Sequence, residues 1–226
     1  MKQPSSPKPA RDGPSQLLVE GKDDLYSVAN LMELHGFAMN DSNPQAPFIN
    51  DCDGYTRVLE VVEVMVKERQ YKRIGIMVDA NEKPADRWAQ VKNRLGLAAR
   101  DLRVDSPVPE SPEPKGTIID GFFPETRIGI WLMPDNAQPG ALEDFLETLI
   151  PGEDDCWVYA EKASRESKKH GARFSDSDFK KARLHAWLAW QEKPGLPFGS
   201  GVRACYFRSD SDLALTFVEW FKRLFL

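Results

Sequence analysis

The stretch Leu17-Leu18-Val19-Glu20-Gly21-Lys22-Asp23-Asp24 decides how the rest of the chain is interpreted. Three apolar residues lead directly into a carboxylate, a glycine and two aspartates, and a helical pattern begins behind them. This order predicts a buried β-strand that ends in a tight turn, with Glu20 at the carboxyl end of the strand. In open α/β sheets, ligands bind at that edge.

Two later apolar runs end in the same way. Ile74 to Val78 leads into Asp79, and Ile128 to Met133 leads through a proline into Asp135. Because the carboxyl ends of parallel strands meet at one edge of a sheet, Glu20, Asp79 and Asp135 are expected to gather there. Gathered carboxylates repel one another, and a hard divalent cation bound by oxygen ligands relieves that repulsion. The three strands therefore predict a metal site.

The spacing of apolar residues between these strands predicts helices, and the element order up to residue 150 is β-α-β-α-β-α-β-β-α. The predicted strands are 17–20, 48–49, 74–78, 117–119 and 128–133, and the predicted helices are 24–35, 55–68, 84–95 and 140–150. This order favours an α/β fold with a mostly parallel sheet flanked by helices.

The remainder of the chain is predicted to be helical apart from a loop rich in glycine and proline. The predicted helices are 156–169, 177–191 and 211–226, and the loop is 194–201. We expect three parts: a flexible tail over 1–15, an α/β core over 16–150, and a C-terminal helical extension over 151–226 that packs on the core. The last helix is interpreted as core, with a homodimer surface as the alternative.

Composition narrows the class of protein. The chain has 226 residues, a net charge of -5 and 41% hydrophobic residues, and no run approaches the ~20 apolar residues of a membrane helix. Its three cysteines form no C-x-x-C pair, which indicates neither a zinc knuckle nor a disulfide framework and favours a reducing cytoplasm with no membrane partner. The acidic balance argues against a non-specific nucleic-acid coat, but it is compatible with a nuclease whose metal site needs acids.

Four stretches, taken in order, resemble the toprim domain of topoisomerases, primases and OLD-type (overcoming lysogenization defect) nucleases. They are Leu17–Asp24, Ile76–Asn81, Gly129–Leu146 and Lys181–Ala189. In particular, the chain resembles a family of small stand-alone toprim-like bacterial proteins of unknown function. The likeness covers most of the chain after Gln16, and it implies a toprim-like fold.

The resemblance also implies roles for individual residues. Glu20 matches a glutamate that serves as a metal ligand or general acid/base, and Asp79 matches the first aspartate of an Asp-x-Asp pair that holds magnesium. Asn81 stands where the second aspartate belongs, which makes the site weaker unless another acid compensates. Asp135 and Glu143 resemble the acids that OLD-type nucleases use for a second metal.

The resemblance also implies a positively charged residue close to the phosphate that is cleaved. Lys181 resembles a lysine near the scissile phosphate of OLD-type nucleases, although Lys180 is equally available in the sequence. Asp23 and Asp24 are interpreted as helix N-cap residues, with a supporting role at the metal site as the alternative. The basic segment 161–185 is either a solvated helical face or a local phosphate-binding patch.

These observations predict a metal-dependent hydrolase that cleaves or nicks nucleic acid, either DNA or RNA, with Mg²⁺ or Mn²⁺ as cofactor. The resemblance to OLD-type nucleases implies a role in phage defence. The alternative prediction is a catalytically weak toprim module that binds a partner protein, such as an ATPase, or nucleic acid. Asn81 and the acidic pI of about 5.4 favour that alternative.

Overall fold

The computed structural model describes residues 13–123 and 126–226. The strands are β1 (Ser15–Val19), β2 (Phe48–Asp51), β3 (Arg73–Asp79), β4 (Thr117–Phe123) and β5 (Thr126–Met133). The helices are α1 (Lys22–Leu34), α2 (Tyr55–Glu68), α3 (Pro84–Leu102), α4 (Leu142–Thr148), α5 (Asp155–Ser167), α6 (Phe179–Leu188), α7 (Phe198–Arg203) and α8 (Asp212–Phe225). The predicted tail lies outside the described residues except for 13–15, of which Ser15 already belongs to β1.

The five strands form one sheet in the order β2-β1-β3-β5-β4. Strands β2, β1, β3 and β5 are parallel, and β4 pairs with β5 in the antiparallel direction. Parallel pairing follows from the helices that connect these strands, whereas β4 and β5 are joined directly. The prediction of an α/β fold with a mostly parallel sheet, flanking helices and a C-terminal helical extension is confirmed.

Each face of the sheet has its own hydrophobic core. Successive strand residues point to opposite faces, so Leu17 and Val19 belong to one core and Leu18 belongs to the other. Helices α2 and α3 cover the face of Leu18, and α1 together with α4 to α8 covers the face of Leu17. The C-terminal helices therefore share a core with the sheet.

Two glycines let α8 lie close to the sheet. Gly75 of β3 and Gly129 of β5 are register partners, and a Cβ at either position would collide with a neighbouring side chain. At Gly129 that Cβ would lie 2.5 Å from Cδ2 of Leu224 in α8. The aromatic face of α8 is buried in this position, so it belongs to the core and is not open to a second copy of the chain.

Two predictions based on glycine were wrong. Helix α3 does not end before Gly96 but continues through it to Leu102. Residues 194–201 were predicted as a loop, yet Phe198–Arg203 forms α7, whose Gly199 lies against the backbone of Tyr26 in α1. Glycine serves there for close packing of two helices rather than for a turn. None of the helices in the described ranges combines the length and apolar content needed to cross a membrane.

Candidate metal and active site

A cleft of 840 Å³ lies at the carboxyl ends of β1, β2 and β3. Its lining residues are Glu20, Gly21, Lys22, Asp23, Asp24, Asp51, Asp53, Gly54, Asp79, Leu142, Glu143 and Lys181. They supply seven carboxylates but only two ammonium groups. Negative charge therefore dominates this edge of the sheet.

Glu20 and Asp79 meet in this cleft because β1 and β3 are neighbours in the sheet. The backbone N–H of Asp79 donates to Oε1 of Glu20 at 2.9 Å. The backbone N–H of Leu142, at the start of α4, donates to Oδ1 of Asp79 at 3.1 Å. The two predicted ligands are thus held in place by backbone donors and are linked to the first turn of α4.

Asp24 is both a helix-capping residue and part of the cleft. It occupies the third position of α1, where its Oδ2 accepts a hydrogen bond of 2.9 Å from the backbone N–H of Gly21. Only 9% of the residue is exposed. Its two predicted interpretations, capping and a supporting place at the site, therefore describe the same carboxylate.

The carboxylates raise one another's pKa. Burial, followed by the charges of Asp24, Glu20 and Glu143, raises the pKa of Asp79 to about 8. Burial and the charge of Glu20 raise the pKa of Asp24 to about 7. Burial also raises the pKa of Glu20, against the lowering effects of its hydrogen bond from Asp79 and of the Arg87 charge. Near neutral pH, the ligand-free cleft therefore retains protons on groups that are ordinarily ionised.

Lys181 bridges the first turns of two helices across the cleft. Its Nζ lies 3.1 Å from Oδ2 of Asp23 in α1 and 3.9 Å from Oε1 of Glu143 in α4. Burial lowers the pKa of the Lys181 ammonium, but Asp23 and Glu143 outweigh this effect and raise it, so the group stays charged. Lys180 pairs instead with Asp144 and does not line the cleft. Of the two lysines available in the sequence, Lys181 is the one at the site.

The structure does not place Asp135 with the other predicted ligands. Its Oδ1 accepts hydrogen bonds from the backbone N–H groups of Ala137, at 3.0 Å, and Gln138, at 2.7 Å. The neighbouring Asn136 is buried and closes the same turn onto Leu132 of β5. Local turn hydrogen bonds thus use the carboxylate that sequence alone assigned to a metal, and Asp135 is not among the cleft residues.

Asn81 also lies away from the cleft. Its backbone forms two hydrogen bonds with Gly140, at 2.7 and 2.8 Å, and it adopts a positive φ of 53°. Asparagine tolerates this left-handed conformation better than most residues. Asn81 lines a separate depression beside α3, whereas Glu143 lines the cleft.

Sequence analysis missed the contribution of β2. Asp51, at the end of β2, is the register partner of Val19, and Asp53 follows in the loop before α2. The third strand that brings acids to the cleft is therefore β2 rather than β5. The run Phe48-Ile49 indicated this strand, but two apolar residues gave no reason to extend it to the acids.

The oxygen donors in the cleft fit a hard divalent cation, since the acidic side chains supply seven carboxylates and six of these residues are buried or half-buried. Their spacing is open: within the described part of the chain, no three His, Cys, Asp or Glu side chains form a group that could hold a metal ion. Binding a cation would therefore require these side chains to move together.

The fold and the cleft define an α/β protein with an acidic candidate site at the carboxyl edge of a mostly parallel sheet. The chain belongs to the family described as "Protein of unknown function (DUF3226)", whose model matches residues 14–226. The C-terminal region of the OLD protein of Xanthomonas campestris pv. campestris is similar in structure, with 12% sequence identity and a TM-score of 0.48. That similarity covers 95% of this chain and 97% of the other. A comparison with curated proteins gives no match.

Proposed function

We propose that this protein cleaves or nicks nucleic-acid phosphodiesters with Mg²⁺ or Mn²⁺ bound in the cleft. The observation that carries the proposal is the meeting of Glu20, Asp24, Asp79, Glu143 and Lys181 in one cleft at the carboxyl edge of the sheet. The sequence resemblance to toprim proteins independently assigns metal chemistry to Glu20 and Asp79.

Electrostatics explain why such a site would need a cation. A phosphodiester backbone is itself negative, and seven carboxylates against two lysines would repel it. Glu20, Asp79 and Glu143 would hold the cation, because these acids approach the cleft from three different elements. A bound Mg²⁺ or Mn²⁺ would polarise the phosphate and make a nearby water acidic.

The chain's own residues have separable tasks in this proposal. Lys181 would neutralise negative charge that builds up on the phosphate, and its ion pairs with Asp23 and Glu143 hold it beside the carboxylates. Asp24 fixes the turn at Gly21 and so positions Glu20 one residue before it. As an alternative to binding the cation, Glu20 is our candidate general base, since it lines the cleft and burial raises the pKa of its carboxyl group.

Nicking of supercoiled plasmid and cleavage of a labelled single-stranded RNA, each with Mg²⁺ or Mn²⁺, test the proposal. We expect Glu20→Gln and Asp79→Asn to reduce the rate by about 100-fold or more, since each removes a charge that positions the cation. Asp135→Asn is the matched control, because its carboxylate serves only its own turn, and it should stay within about twofold. Equal rates in all four proteins would overturn the assignment of this cleft.

The open spacing of the carboxylates favours a second candidate function. Within the described residues no ready-made metal group exists, as expected for a catalytically weak module that binds nucleic acid or a partner such as an ATPase. Calorimetry with Mn²⁺ at millimolar concentration separates the two. Heat of binding that disappears in Asp79→Asn supports the nuclease, whereas no binding supports the module.

A setting in phage defence would follow from the resemblance to OLD-type nucleases alone.

A further inference from the structure

Arg87 is a positively charged side chain that lies near the cleft on the opposite face of the sheet from Lys181. Arg87 lies in the first turns of α3, and its guanidinium carbon is 3.7 Å from the centre of the Tyr55 ring. Tyr55 begins α2 directly after Gly54, which lines the cleft. Arg87 is also close enough to Glu20 to act on its charge. The stacked pair therefore stands at the margin of the acidic cleft.

Arg87 and Lys181 lie on opposite faces of the sheet. Arg87 belongs to α3, which packs with α2 on one face, and Lys181 belongs to α6 on the opposite face. Arg87 acts electrostatically on Glu20, and Lys181 interacts with Asp23 and Glu143, so the two side chains act on different acids of one cleft. The cleft carboxylates therefore have a positively charged side chain on each face of the sheet, Arg87 on one and Lys181 on the other.

Arg87 is placed to bind an external anion. Among the described residues it forms no ion pair with a carboxylate, and its guanidinium stacks on the Tyr55 ring. It lines the shallow depression beside α3, where two carboxylates, Glu82 and Asp86, accompany Arg87 and the exposed Lys83. Lys83 contacts Asp86 only at 3.9 Å, so its ammonium group is available to an anion. A guanidinium that is held over an aromatic ring loses less freedom when its N–H groups donate to two oxygens of a phosphate.

We propose that Arg87, together with Lys83, binds a backbone phosphate of a nucleic-acid strand that crosses the cleft. This inference rests on the proposed function and deepens it: the strand is held at a second phosphate, by Arg87 on the opposite face of the sheet from Lys181, so a polynucleotide binds more tightly than a mononucleotide. Lys181 then lies at the phosphodiester that faces the acids, and Arg87 holds a second phosphate of the same strand. Tyr55 is a positioning residue that orients the guanidinium.

The test measures binding without cleavage. The probe is a fluorescein-labelled oligothymidylate of about 15 nucleotides, long enough to span an ordinary single-strand site. Its anisotropy is followed in the presence of Ca²⁺, with unlabelled dTMP as competitor. We expect Arg87→Gln to weaken binding about tenfold and to reduce the slope of log affinity against log salt by about one, because one phosphate contact is lost. Arg87→Lys should fall between Arg87→Gln and the wild type, and dTMP should compete poorly.

Arg100→Gln is the matched control, since Arg100 is exposed in the last turn of the same helix and lies about 20 Å along its axis from Arg87. It should bind within about twofold of the wild type. Thermal unfolding checks that each variant is folded, and Lys83→Gln, at an exposed position, gives a second variant with an expected loss of about threefold. A wild type that does not bind the oligonucleotide, or an Arg87→Gln variant that binds as Arg100→Gln does, would overturn the inference.

The two proposals fail in distinguishable ways. Binding that depends on Arg87 in a protein that never cleaves with Mn²⁺ would retain the phosphate site and remove the nuclease. Cleavage that depends on Glu20 and Asp79, together with oligonucleotide binding that does not depend on Arg87, would retain the nuclease and remove the phosphate site.

Discussion

At Asp79, the charge that a metal ligand would need makes the folded protein less stable. Its carboxylate is buried among Glu20, Asp24 and Glu143, and its pKa is raised to about 8. Because the unfolded chain has an aspartate of ordinary acidity, the folded protein binds more protons between about pH 4 and pH 8. This group therefore stabilises the fold least at alkaline pH, when its charge must be buried beside other charges.

We expect Asp79→Asn to stabilise the metal-free protein, and more so as the pH rises. Asparagine keeps the oxygen that accepts the Leu142 N–H but carries no charge. The gain in free energy of unfolding should grow by about 1 kcal/mol or more between about pH 5.5 and about pH 8.5, and level off above that. Urea unfolding at both pH values measures it, and Asp135→Asn is the control. A gain that is the same at both pH values would mean that the pKa of Asp79 is not raised in the folded protein.

Asn81 tests how far a motif can be carried from one chain to another. The toprim resemblance makes it a weakened metal ligand, whereas the structure uses its backbone to bridge to Gly140 and places it outside the cleft. We therefore expect Asn81→Asp to change Mn²⁺ affinity by no more than about twofold, because a charge added in a separate, solvated depression is screened. Calorimetric titration of both proteins is the measurement. A tenfold or larger gain in affinity would show that residue 81 is a ligand after all.

At the scale of elements, glycine has opposite meanings at two helical positions. A Cβ at Gly199 of α7 would lie 2.6 Å from the backbone carbonyl carbon of Tyr26, but a Cβ at Gly96 of α3 meets nothing within 4 Å. The first glycine permits two helices to touch, and the second only adds conformational freedom to the unfolded chain. The sequence alone gives no means of telling them apart.

Alanine substitutions at these two positions should therefore act in opposite directions. We expect Gly199→Ala to lower the free energy of unfolding by about 3 kcal/mol, because α7 must move away from α1. Gly96→Ala should raise it by about 0.5–1 kcal/mol, since alanine favours the helix. Denaturant unfolding of the two variants and the wild type gives both values. Similar destabilisation by the two changes would mean that α7 is not packed as described.

The elements found correctly from sequence have either a continuous run of apolar residues, as in the buried strands, or apolar residues at helical spacing. Helix α2 was predicted with its observed bounds, Tyr55–Glu68, because Val58, Leu59, Val62 and Val66 repeat at helical spacing. Helix α7 lacks such a repeat, because its glycines serve tertiary contact. Strand β2 was predicted only over its first half, 48–49, because its last two residues are polar. Local pattern cannot reveal a residue whose role is set by a partner that is distant in sequence.

At the scale of the whole molecule, the same reasoning explains which part of the site was predictable. Glu20 and Asp79 follow buried strands that are adjacent in the sheet, so the strand pattern alone brings them together. Asp135 also follows a buried strand, but hydrogen bonds within its own turn hold it elsewhere. Lys181 reaches the cleft only because α6 packs beside the first turns of α1 and α4. That placement depends on the packing of the C-terminal helices, which no local spacing encodes.

The whole cleft also predicts how protons and metal compete. A cation that Asp79 binds must displace the proton that its raised pKa, about 8, retains at neutral pH. The positive charge of the cation also favours loss of the proton from the neighbouring Asp24, whose pKa is about 7. We therefore expect Mn²⁺ to bind at least about tenfold more tightly at about pH 8 than at about pH 6, with protons released on binding. Calorimetry in two buffers with different ionisation enthalpies counts those protons, and the number should decrease as the pH rises.

The stability of the whole fold should respond in the same direction. Without metal, the free energy of unfolding falls as the pH rises toward about 8, because buried acids lose their protons. With Mn²⁺ at about 1 mM, the melting temperature should rise more at about pH 8 than at about pH 6, since the cation replaces protons that are no longer there. Asp79→Asn removes one of the two groups, so it should release fewer protons and show a smaller metal-induced rise. Equal metal affinity at both pH values would mean either that the cation binds elsewhere or that Asp24 and Asp79 hold no protons at neutral pH.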